Sequence, residues 1–204
     1  MKKEYVLGVL FFGGLWGISE AVVGGWMYAA EMRQASAVVL AVIAFAILSV
    51  ARVFVPLPGS SATIGALAML FKFLNAPFFA CHMLAIFLLG ASFDLVYSLA
   101  RGRRKELIGL ASTYLGFALF ALIITYVVRY SHWIGEGWPK VLRYVGITGT
   151  IAAVCNAVVV PLGDRLARHL SNRALGRLPL RAWAVRAVSL MAAAIWIFAL
   201  SRQF

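Results

Sequence analysis

The chain has 204 residues, 63% of them hydrophobic and 13% charged, with a mean hydropathy of +0.92. Soluble domains carry roughly twice that charge, and a domain this small has too much surface to hide so much apolar mass. A soluble globule, a disordered chain, a collagen-like repeat and a disulfide scaffold are thereby excluded. The expectation is an all-α integral membrane protein, a bundle of six to seven transmembrane helices. Lys+Arg number 19 against 7 Asp+Glu, a formal charge of +12. In a soluble protein that balance would point to nucleic acid. Here the basic residues cluster between apolar stretches, so they read as topology control and contact with anionic membrane lipid, with no nucleic-acid partner.

A hydrocarbon core of about 30 Å takes roughly 20 apolar helical residues. The first candidate span, 6–30, is interrupted only by Glu20. Its length and its glycines argue against a cleaved signal peptide. The second, 35–55, ends at Pro56, Pro58 and Gly59, which stop a helix. The segment 60–74 is short and contains Lys72; 76–100 carries His82 and Asp94; 107–128 is free of charge. The sixth span covers 145–163. Beyond it, Leu162, Leu166 and Leu170 recur at helical spacing among arginines, so 164–181 reads as an amphipathic continuation along the interface. A final span covers 182–200. Cys81 and Cys155 both lie inside apolar stretches and read as small core residues.

Charge bias decides how the short segment is treated. If 60–74 crosses and the N-terminus is cytoplasmic, thirteen basic residues fall inside: Lys2, Lys3, Arg52, the Arg101/Arg103/Arg104/Lys105 group, and Arg165, Arg168, Arg173, Arg177, Arg181 and Arg186. Six fall outside: Arg33, Lys72, Arg129, Lys140, Arg143 and Arg202. The positive-inside rule therefore favours seven crossings in the cytoplasmic membrane, N-terminus in and C-terminus out. A re-entrant third segment, buried by its neighbours, is the alternative. The whole chain forms one transmembrane domain with a six-helix core over 5–163.

No nucleotide-binding, zinc-protease, serine-hydrolase or paired-cysteine motif occurs. His82, His132 and His169 are scattered, so no metal site, cofactor or catalytic residue is expected. Five other features stand out instead. Gly13, Gly17, Ala21 and Gly25 repeat at spacing four on the first helix, a smooth stripe that fits either a partner helix or packing within the chain. Glu20 interrupts that helix in its outer third, where a carboxylate either faces a cavity or pairs with Lys72 at a comparable level. Asp94, near the opposite face, reads as a register-fixing partner of Arg52. The outer loop collects Tyr126, Tyr130, His132, Trp133, Trp138 and Tyr144 around Gly135 and Gly137, which fits either an interfacial belt or a lid over a ligand. Asn156 is a further polar group in mid-helix.

The expected site is an outward-facing pocket formed by Glu20, Lys72, His82, Tyr130, Trp133 and Asn156. A carboxylate in such a pocket would suit a ligand that offers a donor, such as an amine or a ring N–H. The stretch Phe12-Gly13-Gly14-Leu15-Trp16-Gly17-Ile18-Ser19-Glu20-Ala21, together with the plan of residues 5–163, resembles the substrate-capture components of energy-coupling factor transporters. The stripe is mainly glycine here where that family's is alanine, and 182–200 has no counterpart in its core. The resemblance implies six helices around a vitamin-like or cofactor-precursor solute. It also implies a small-residue face docked on a transmembrane coupling subunit, and separate ATPases as the energy source. A non-catalytic subunit or assembly factor of a larger complex is the second reading. An intramembrane enzyme using Glu20 or Asp94 is the third.

Overall fold

In an apolar medium each backbone N–H and C=O must be satisfied within its own segment, so long apolar runs fold as helices. The computed structural model describes residues 2–74, 80–101 and 103–174, and these contain helices and connections but no strand. The first three helices are α1 (Lys2–Ala29), α2 (Arg33–Phe54) and α3 (Ser60–Leu70), the last extended by a 3-10 turn at Phe71–Leu74. Next come α4 (Ala80–Leu99) and α5 (Lys105–Leu122), which runs on through a π-helical turn at Ile123–Val127. Two short helices, α6 (Ser131–Ile134) and α7 (Gly137–Arg143), lead through a second π-turn at Tyr144–Gly149 into α8 (Thr150–Ala174).

Five segments are long and apolar enough to cross a membrane: Tyr5–Ala29, Ala35–Phe54, Cys81–Leu99, Lys105–Val127 and Gly137–Asn172. This is a multi-pass membrane protein. Ser60–Phe73 is apolar but shorter. The expected amphipathic piece after residue 163 is, as far as Ala174, a direct continuation of α8, with Leu162, Leu166 and Leu170 exposed. The expected span 182–200 lies outside the described residues.

The packing order closes on itself. α1 touches α2 and α3, α2 touches α8, α8 touches α5, α5 touches α4, and α4 returns to α3. In this six-membered ring α1 stands opposite α5. The interior is filled by Phe12, Trp16, Phe45, Leu48, Ile64 and Phe93, with Phe45 and Phe93 edge to face at 5.3 Å. Helices approach very closely at Gly65 and Gly90, where a Cβ on Gly65 would sit 3.2 Å from the Gly90 Cα.

The start of α3 shows how so short a helix is held. Pro56 and Pro58 end α2's path, and Gly59 turns the chain at φ +86°. Gly59 has no side chain with which to cap the helix it precedes. Asp94 of α4 does so instead, accepting the N–H groups of Gly59 (2.9 Å), Ser61 (2.8 Å) and Ala62 (3.1 Å). A carboxylate at a helix N-terminus satisfies orphan donors and complements the dipole.

Candidate solute-binding cavity

The ring of helices is filled at one end and open at the other. At the open end lies a cavity of about 850 Å3, reached by the C-terminal half of α1, the start of α2, the turn after α3, the start of α4, the end of α5 and the segment 130–148.

Its floor is set by an ion pair. Glu20 and Lys72 meet at 3.1 Å with side chains only 4% and 8% exposed. The Lys72 ammonium also donates to the Glu20 backbone carbonyl at 3.0 Å, and the Trp16 indole N–H donates to Glu20 Oε1 at 3.2 Å. Each carboxylate oxygen of Glu20 is therefore occupied by a group of the protein. The two readings of Glu20 meet here: it pairs with Lys72, and both residues line the cavity.

The wall is aromatic on the α5 side. Phe117 stacks on Tyr144 at 5.2 Å, Phe120 meets Trp133 edge to face at 5.6 Å, and Trp133 meets Tyr144 at 5.2 Å. The opposite side mixes small residues, Gly24, Gly25 and Ala29 of α1 with Ala37 and Ala41 of α2, with the larger Tyr28 and Leu40. At the mouth Glu136 binds Lys140 at 2.6 Å and Arg143 at 2.5 Å, and Lys140 lies over the Trp133 ring at 5.5 Å. The Lys140 hydrogen bond holds the Glu136 carboxyl below its usual range.

Of the residues expected at the site, Glu20, Lys72, His82, Tyr130 and Trp133 all line this cavity, as do His132 and Tyr144. Asn156 lies apart from it. It is fully buried between α5 and α8, where its amide donates to Thr113 Oγ1 at 2.9 Å. An amide in apolar surroundings is held by whichever hydroxyl its neighbour helix supplies, and that hydroxyl lies outside the cavity lining. Trp138 and Tyr126 also turn away, exposed and 6.4 Å from one another.

Of the two readings of the stripe on α1, a partner helix or packing within the chain, Gly13 and Gly17 take the second. A Cβ on Gly13 would meet Leu67 of α3 at 2.7 Å, and one on Gly17 would run into the Phe71 ring. Ala21 is buried, and Gly25 lines the cavity. The chain's own α3 covers the smooth face. A glycine row accepts whichever helix reaches it first, and here a helix of the same chain does so.

Sequence reasoning missed the mouth cluster and the rings of α5. Glu136 and Lys140 stand four apart, a spacing that signals an ion pair on a helix turn. Phe117 and Phe120 gave no such signal, since a ring in an apolar run looks the same whether it faces lipid or a cavity.

The far end of the bundle has a second polar network. Arg52 stands 3.5 Å from Asp94 and donates to Ser60 Oγ at 2.9 Å, with its guanidinium 4.5 Å above the Tyr97 ring. Lys105 binds Tyr97 and Asp164, and Arg168 also reaches Asp164. These groups tie α2, α3, α4, α5 and α8 together, while the buried Arg52 Nε has no hydrogen-bond partner among the described residues. Among the described residues no group of three or more His, Cys, Asp or Glu could hold a metal ion. Compared with family models, with curated proteins and with solved structures, the chain matches none.

Proposed function

We propose that this chain is the solute-binding subunit of a membrane transport system. It takes a small vitamin-like or cofactor-precursor molecule into the cavity from the outer side and relies on separate coupling and ATPase subunits for uptake. The observation that carries the reading is the cavity itself: about 850 Å3, open at one end of the bundle, with a buried ion pair at its floor and rings along one wall. Pockets of that size, mostly apolar with a few placed polar groups, suit small ligands. Sidedness follows from charge. The Arg101–Lys105 loop and Arg165 and Arg168 lie at the end opposite the cavity, which the positive-inside rule assigns to the cytoplasm. In this arrangement α3 completes a sixth crossing, and the membrane is the cytoplasmic one. The need for energising partners rests on the lack of a nucleotide-binding motif and on the resemblance to substrate-capture components. With Gly13 and Gly17 covered, a coupling subunit would dock on another face.

The test is mass spectrometry of small molecules released by denaturing the purified protein. One compound, released from the native chain and depleted in Trp133→Ala, is the expected result. Absence of any released compound, with unchanged uptake by cells lacking the protein, would remove the reading.

A further inference from the structure

The charges that line the cavity fix the kind of solute it would take. Resting on the solute-binding reading above, we infer that the ligand is a small organic monoanion, a carboxylate carried on a flat ring. This reverses the expectation drawn from Glu20 alone.

Both carboxylates in the lining are already occupied. Glu20 is held by Lys72 and Trp16, and Glu136 by Lys140 and Arg143. An incoming amine would have to displace a cation that is already hydrogen-bonded. The donors, in contrast, are in surplus. Arg143 carries five N–H groups in a fork suited to a carboxylate, and its side chain is 63% exposed at the mouth. Lys72, Lys140 and Arg143 against Glu20 and Glu136 leave one positive charge in excess among the lysines, arginines and carboxylates of the lining. One negative charge balances that excess, and a doubly charged phosphate ester would exceed it.

Phe117 and Phe120 on α5 face Gly24 and Gly25 on α1 across the ring of helices. The Lys72 and Leu40 side chains reach over Gly24, and Tyr28 joins them in the lining. A planar ring entering this space gains stacking contact on the aromatic wall of Phe117, Phe120, Trp133 and Tyr144.

The experiment uses the full chain in nanodiscs and three probes with one ring and three charges: indole-3-acetate, indole-3-acetamide and tryptamine. Calorimetric titration should show the acetate binding at least about tenfold more tightly than the other two. Arg143→Gln should remove about that tenfold for the acetate and leave the amide unchanged, a split that a merely structural role would not produce. Tightest binding by tryptamine, or equal binding of all three, overturns the anion assignment and leaves the solute-binding reading standing. Equal loss for acetate and amide in Arg143→Gln overturns the role of that guanidinium. No binding by any probe, joined with no molecule released from the purified protein, overturns the solute-binding reading and this inference together.

Discussion

At the scale of the residue, the buried Glu20–Lys72 pair has the largest consequence for stability. Taking both charges out of water is costly, and each ion is tolerated because the other is 3.1 Å away. Removing one partner leaves the other uncompensated, typically at about 3–5 kcal/mol. Glu20→Gln keeps an acceptor for the Lys72 ammonium, so its cost should fall near the lower end. Thermal unfolding in detergent should register the drop, and adding Lys72→Met should recover part of it through coupling between the two sites. Additive losses in the double variant would show that the two side chains do not depend on each other. Asp94 is the counterpart at the far end. Its three backbone N–H partners make it a cap for α3 as much as a partner for Arg52.

At the scale of the element, α1 and α3 are fitted by absence of side chains. Gly17→Leu would place a branched group where even a simple Cβ would run into the Phe71 ring. Overpacking of this kind costs about 1–3 kcal/mol, occasionally more. The expected outcome is loss of the folded protein itself, seen as a lower melting temperature and a poorer yield in size-exclusion chromatography. A variant that stays fully stable but fails to engage a membrane partner would return the stripe to a docking role. The segment 130–143 has its own switch. The Lys140 hydrogen bond lowers the Glu136 pKa from its ordinary value, so the folded form binds fewer protons there than the unfolded one. The cluster's contribution is fully present above the unfolded value and is lost as pH falls through the lowered folded value. Trp133 emission should stay constant above about pH 5 and change on further acidification, and Glu136→Gln should abolish that change. An acid transition unaltered in Glu136→Gln would assign it to other groups.

At the scale of the whole molecule, the ring order gives every end of every helix a side. The connections 29–33 and 127–137 share the cavity end, whereas 54–60, Arg101 and Arg103 share the basic end with the C-terminal part of α8. In a background lacking Cys81 and Cys155, Gly135→Cys should react with an impermeant maleimide added to intact cells. Arg103→Cys should react only after the membrane is opened. The reverse pattern would invert the proposed orientation and place the cavity on the cytoplasmic side.

Composition and the length of the apolar runs determined that this is a helical membrane protein, because backbone groups in an apolar medium leave few other solutions. Depth counting along α1 also brought Glu20 and Lys72 to one level, since helical rise is fixed at about 1.5 Å per residue. Most of the cavity residues named from the sequence were polar or aromatic groups near one end of a span, and end position is legible in one dimension. What the sequence left open was which helix neighbours which. That choice hides Gly13 and Gly17 under α3, sends Asn156 to Thr113 rather than to the cavity, and sets Phe117 and Phe120 opposite the glycines of α1. Periodicity marks a face without saying what covers it, and only the closed ring of six helices assigns each face its neighbour.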